Sequence, residues 1–184
     1  ASKATPTGAS VQFAAAGKKT AKKDLGMLAA QYENVYVASV AIGADAGQYI
    51  KALKEAEAHN GPSLIIAYAP CINHGIVKGM AFAQAEAKLA VQSGYWVLYR
   101  YDPKLKSEGK NPFILDFRDP KYNLREFLLG EVRFNSLQRT FPEQAEALLK
   151  EAREQCRHRW ARYTHLEKQD YSHINDVLEQ YPIE

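Results

Sequence analysis

Apolar positions gather into three short runs, separated by stretches in which they recur every three or four residues. The first run, Val35-Tyr-Val-Ala-Ser-Val-Ala-Ile42, is apolar at nearly every position, as a strand buried on both faces requires. Ser63-Leu-Ile-Ile-Ala-Tyr-Ala69 and Tyr95-Trp-Val-Leu-Tyr-Arg-Tyr101 read as a second and a third strand. Before the first run, Asp24 is placed to cap a short helix through Tyr32. Between the first two, Gly43 and Asp45 open a helix with Ala46, Tyr49, Ile50, Leu53 and Ala56 on one stripe, stopped by Asn60-Gly61-Pro62. Between the second and third, Val77 to Gln92 reads as an Ala-rich helix ending at Ser93-Gly94. Strands alternating with helices predict an α/β fold, with a mostly parallel sheet flanked by helices and joined by right-handed crossovers.

After the third strand the texture changes. Asp102 to Pro112 is a polar excursion that reads as a surface flap, followed by the short apolar segment Phe113-Ile-Leu-Asp-Phe117. Thr140-Phe-Pro-Glu143 has the spacing of a capping box, with the hydroxyl at the N-cap and Pro in the first turn. A long amphipathic helix to about Lys168 should follow, burying Ala145, Leu148, Leu149, Ala152, Cys156, Trp160 and Tyr163. Tyr171 to Glu184 reads as a short extra helix or a tail. The chain thus divides into a loop over 1–23, an α/β part over 24–117 and a helical C-terminal extension over 118–184.

Composition and charge narrow the function. In 184 residues, 46% hydrophobic and 24% charged with a net charge of +3, there is enough apolar material for one packed core, and no apolar run is long enough for a membrane-spanning helix. Residues 1–23 carry five lysines (Lys3, Lys18, Lys19, Lys22, Lys23) and no carboxylate, which leaves −2 for the rest. Such an arm is able to meet phosphates, but a solvated, partly mobile loop is its ordinary reading. With no helix-turn-helix, zinc-finger or ribonucleoprotein motif, no nucleic-acid partner is expected. Ala1 to Gly8 has neither an initiator Met nor a signal-peptide layout, so the chain is expected to be a piece with a cut start. Two scattered cysteines fit a reducing, cytoplasmic setting.

One segment asks for chemistry. Pro70-Cys71-Ile72-Asn73-His74-Gly75 lies at the carboxyl end of the second strand, the edge at which open α/β sheets bind ligands. Cys71 is open to four roles: a nucleophile, a zinc ligand, an iron–sulfur ligand or a small buried residue. Zinc would pair Cys71 with His74 but lacks the remaining ligands, and a Cys–His dyad lacks a group to orient the base. His59, His158, His165 and His173 read as solvent-facing.

Ser2-Lys-Ala-Thr-Pro-Thr-Gly8, Lys23-Asp-Leu-Gly-Met27, Gly61 through Gly75, Gly94-Tyr-Trp96, Leu98-Tyr-Arg-Tyr-Asp102, Asn111-Pro-Phe-Ile-Leu-Asp116 and Gly130-Glu-Val-Arg133 resemble the carboxyl-terminal part of the pyruvate:ferredoxin (flavodoxin) oxidoreductase family. The resemblance extends to about Lys168. It implies a much longer enzyme, a homodimer, that binds thiamine diphosphate with Mg²⁺ and several 4Fe–4S clusters. That enzyme converts pyruvate and coenzyme A to acetyl-CoA and CO₂ and passes electrons to ferredoxin or flavodoxin. The present residues would be the late part of its thiamine-diphosphate-binding domain, inactive alone. Cys71 matches the family's isolated late cysteine, the fourth thiolate of the cluster nearest thiamine. Ser2 and Lys3 would continue the loop at the cofactor's diphosphate end, Lys3 adding positive potential, while His74 has no assigned role beyond a hydrogen bond near the cluster. The competing reading is a non-catalytic assembly module that docks onto other subunits.

Overall fold

The computed structural model describes residues 2–181; Ala1 and the last three residues of the predicted tail, 182–184, lie outside the described residues. Chain order is α1 (Leu25–Ala30), β1 (Tyr36–Val40), α2 (Ala46–Ala58), β2 (Ser63–Ala67), α3 (Ala83–Gln92), β3 (Tyr99–Tyr101), α4 (Lys104–Ser107), β4 (Phe113–Leu115), α5 (Leu124–Leu129), α6 (Val132–Thr140), α7 (Pro142–Glu167) and α8 (Ile174–Glu179). The α/β class holds. No helix among the described residues is long and apolar enough to cross a membrane.

β1 is buried at all five positions and lies inside a four-stranded sheet of order β2-β1-β3-β4. Its side chains alternate between faces. Tyr36, Ala38 and Val40 pack with Ala52 of α2, whereas Val37 joins Tyr99, Phe113 and Tyr163 beneath α7. A third cluster, built on Tyr68, Leu98, Phe127 and Phe134, fills the end of the sheet under α3, α5 and α6.

The sheet is mixed, which corrects the expectation of a mostly parallel one. β1 and β2 are parallel, but β1 and β3 run antiparallel with Tyr99 opposite Ser39, and β3 and β4 are antiparallel too. The 68–98 segment leaves β2 and re-enters β3 at the same rim. Its helix is shorter than predicted: residues before Ala83 form two 3₁₀ turns, Ile72–His74 and Met80–Phe82, with Gly75 at φ +65° and Gly79 at φ +94° folding the chain between them. A ten-residue helix advances only about 15 Å, and an apolar run carries no strand direction.

Three local expectations also change. In α2 the buried face is Gln48 and Ala52, and Ile50 and Leu53 are about half exposed, because the face is set by polar contacts: Gln48 Nε2 donates to Ser39 O and Asp116. Thr140 is the last residue of α6, its hydroxyl donating to Ser136 O, so the N-cap of α7 is Phe141 with no side-chain cap. The basic arm is folded. Lys18 is buried and donates to Thr5 O, while Thr7 Oγ1 lies within hydrogen-bond reach of Gln155 Oε1 of α7 at 2.8 Å and of Thr20 O at 3.0 Å.

Other readings hold. Asp24 caps α1 by accepting from Met27 N, and Asp45 caps α2 by accepting from Gln48 N. α7 buries Ala145, Leu148, Ala152, Cys156 and Tyr163. It docks where Gly94, at φ +76°, leaves room for Trp160, whose Nε1 donates to Gly94 O at 2.9 Å; a Cβ on Gly94 would meet that nitrogen at 2.8 Å.

Candidate functional site

β2 delivers Cys71 to the sheet's rim. Tyr68 N donates to Val40 O at 2.9 Å, prolonging the strand pairing by one residue, and Ala69-Pro70 then leads out of the core. Cys71 is exposed, which overturns the reading of a small buried residue; the other thiol, Cys156, is buried. Next to Cys71 in the chain, Ile72 is 78% exposed.

The loop is tightly held. Cys71 N–H donates to His74 Nδ1 at 3.0 Å, and the same nitrogen lies 3.3 Å from Cys71 Sγ. Nδ1 is therefore an acceptor, so the neutral ring carries its proton on Nε2. Burial, reinforced by the positive charges of Arg133 and Lys22, pushes the His74 pKa down to about 4. A base that weak does not draw a proton from a thiol at neutral pH, which removes the support for a Cys–His nucleophilic dyad. Among the described residues no three His, Cys, Asp or Glu side chains are grouped to hold a metal, so zinc on Cys71 and His74 has no further ligands. What Cys71 offers is one free, solvent-exposed thiol.

Beneath the loop lies a buried charged cluster that sequence reasoning missed. Glu131 is 0% exposed; Oε1 accepts from Tyr68 OH at 3.1 Å and Oε2 from Arg133 Nε at 2.6 Å. Glu86 is buried nearby with Oε1 unpartnered, and burial together with the charge of Glu131 raises its pKa. The signal in the sequence was Gly130-Glu-Val-Arg133, an acid and a base two apart directly after an apolar helix.

Ser2 and Lys3 lie in a turn at the start of the arm, where Ser2 N donates to Thr5 Oγ1, Ala4 N to Ser2 Oγ and Lys23 N to Lys3 O. These bonds stay within the arm and do not reach the Cys71 loop. Between the arm, the sheet and α7 is a cavity of about 530 Å³, lined by Lys22, Trp96, Cys156 and Arg159 among others. Lys22 Nζ is 5.0 Å from the Trp96 ring centroid, and Arg159 donates to Tyr95 O at 2.6 Å. Burial raises the pKa of Cys156, so this thiol stays protonated.

Comparison with known proteins bears on the same loop. The chain is 58% identical over 165 residues to the pyruvate:ferredoxin oxidoreductase of Moorella thermoacetica and 56% identical over 165 residues to the pyruvate-flavodoxin oxidoreductase of Klebsiella pneumoniae. Each match covers 90% of this chain and 14% of the relative. The chain is similar to one segment of the pyruvate:ferredoxin/flavodoxin oxidoreductases. A mitochondrial pyruvate dehydrogenase [NADP(+)] of Euglena gracilis is 45% identical over 163 residues, 89% of this chain and 9% of the relative. No family model matches the chain. The relatives are enzymes, and the chain spans about one-seventh of the length of the first two.

Proposed function

We propose that the chain is the late, carboxyl-terminal part of the thiamine-diphosphate-binding domain of a pyruvate:ferredoxin/flavodoxin oxidoreductase, and that Cys71 supplies the fourth thiolate of the 4Fe–4S cluster nearest thiamine. The complete enzyme would act as a homodimer on pyruvate, coenzyme A and an oxidised acceptor, yielding acetyl-CoA, CO₂ and the reduced acceptor. In this reading residues 1–23 continue the cofactor-binding segment, with Ser2 and Lys3 near the diphosphate, 24–117 are the α/β part and 118–184 are the helical extension. The observation that carries the proposal is the free, exposed Cys71 on a loop at the sheet rim, with no group of three or more His, Cys, Asp or Glu among the described residues that could hold a metal by itself. Cluster irons take four thiolates, and a lone one on a strand-end loop completes a site begun elsewhere.

The chain's own residues fit that role. When bound, the cluster supplies one-electron transfer. Cys71 is exposed, His74 fixes the backbone beside it by accepting the Cys71 N–H, and the neighbouring Ile72 would exclude water once covered. The relatives' names give ferredoxin, flavodoxin and NADP(+) for proteins sharing this segment, which supports placing the choice of acceptor outside it.

Assay of the isolated chain should show no pyruvate-dependent dye reduction, whereas the complete enzyme reduces the dye and its Cys71→Ala form does not. Turnover by the isolated chain, or an unaffected Cys71→Ala enzyme, would overturn the proposal.

A further inference from the structure

Both feet of the Cys71 loop are tied to one buried residue. On the entering side, Tyr68, three residues before Cys71, donates its hydroxyl to Glu131 Oε1 at 3.1 Å. On the leaving side, Ile76 forms an isolated antiparallel bridge with Glu131, flanked by Val132 N donating to Gly75 O at 2.7 Å and Val77 N donating to Gly130 O at 2.9 Å. The ring of Tyr68 meets His74 edge-on, with centroids 6.2 Å apart and planes at 77°. His74 in turn accepts the Cys71 N–H. The chain of contact is therefore continuous: Glu131 to Tyr68, Tyr68 to His74, His74 to Cys71.

A carboxylate that is wholly buried costs several kcal/mol unless it is paired, and here Arg133 pairs with it at 2.6 Å. Arg133 is itself only 14% exposed in its side chain and lies over the Phe134 ring at 4.9 Å. An apolar residue at position 131 would fill the same space more cheaply. The loop would then lose the acceptor that fixes Tyr68.

We propose that Glu131 is a positioning residue for Cys71, aiming its thiolate toward the metal centre through Tyr68 and His74 and so setting the electronic environment of that centre. The inference rests on the reading of Cys71 as a cluster ligand. Partners of this kind tune a metal by orienting its ligand, and their loss typically costs about 10- to 100-fold in affinity or activity.

The test uses the complete enzyme in four forms: parent, Cys71→Ser, Glu131→Gln and Tyr68→Phe. Iron content, electron paramagnetic resonance of the reduced clusters and the midpoint potential of the thiamine-proximal one are measured with kcat and KM for pyruvate. Glu131→Gln should retain iron yet show an altered resonance and a displaced midpoint, with kcat down about tenfold and KM unchanged. Tyr68→Phe, which removes a single hydroxyl, should move the same quantities in the same direction by less, and it decides the matter should Glu131→Gln fail to fold. Folded variants with the parent's resonance and midpoint, alongside a Cys71→Ser enzyme that has lost the cluster, would overturn the role of Glu131 alone. A Cys71→Ser enzyme with unchanged iron and resonance would overturn the ligand assignment beneath it.

Discussion

Cys71 and Cys156 are the same chemical group in opposite settings. Cys156 lies on the buried stripe of α7, with Arg159 Nη2 3.4 Å from its sulfur and burial holding it protonated. Cys71 stands exposed on the rim with a neutral imidazole beside it. The comparison extends to the charges behind each region. In the sheet, the charges around Arg100 close on one another: two carboxylates, Asp116 and Glu55, take its donors at 2.6 to 3.2 Å, and Tyr36 OH and Gln48 Nε2 donate to those acids, although Gln48 Oε1 is left unpartnered. Under the rim, the Glu131 set remains open, with Glu86 Oε1 unpartnered and His74 pressed toward its neutral form.

Breaking the closed side should have the largest effect on stability. Arg100→Met strands two carboxylates in the sheet and is expected to cost about 3 to 5 kcal/mol in denaturant unfolding of the chain. A loss below about 1 kcal/mol, the scale of an exposed pair, would show that the network is no clasp.

On the open side, acid is the next probe. The His74 pKa is lowered from 6.5 to about 4 in the fold, so the unfolded chain binds the proton more readily between those values. This residue's contribution to stability is therefore full above about pH 6.5 and falls as pH drops toward 4. His74→Asn should flatten that part of the profile. An unchanged slope would show that the ring is solvated.

Gly75→Ala sharpens the comparison from the backbone. The position has φ +65°, and an added Cβ would lie 2.6 Å from Val132 Cβ, so about 1 to 3 kcal/mol should be lost, with the loop displaced from α6. Its equilibrium unfolding compared with that of Gly79→Ala, where φ is +94° but nothing lies within 4 Å, separates collision from backbone strain. Equal losses would mean that Val132 gives way.

The smallest expected change is at Glu86. Its raised pKa means that the folded state favours the neutral acid, so its contribution is present below the unfolded value near 4.5 and is lost as pH rises above it. Glu86→Gln should remove that loss, seen as a slightly higher thermal midpoint at pH 7. A lower midpoint would mean that the carboxylate has a partner.

Much of this was legible in the chain. The β-branched run at 35–42, Asp24 and Asp45 as caps, and the α7 stripe each follow from local pattern, and each formed. Strand direction was not legible, because β3 carries the same apolar run whether parallel or antiparallel and only the turns at Gly75 and Gly79 send it back to the same rim. The α2 face was misread because Gln48 outcompetes Ile50 and Leu53 for the sheet through long-range hydrogen bonds. Thr140 looked like a cap, but its hydroxyl is spent on Ser136 O. At the site, Cys71 stood out through Pro and Gly around it, whereas Glu131 did not: a lone acid between two helices has no period, and its partners are 63 residues away at Tyr68 and two away at Arg133.

The most direct measurement is the iron content and low-temperature magnetic resonance of the complete enzyme carrying Cys71→Ala, set beside the same protein carrying Cys156→Ala. The account predicts that the first loses one cluster's worth of iron and its resonance while the second keeps both. Equal iron and identical spectra in the two variants would contradict it.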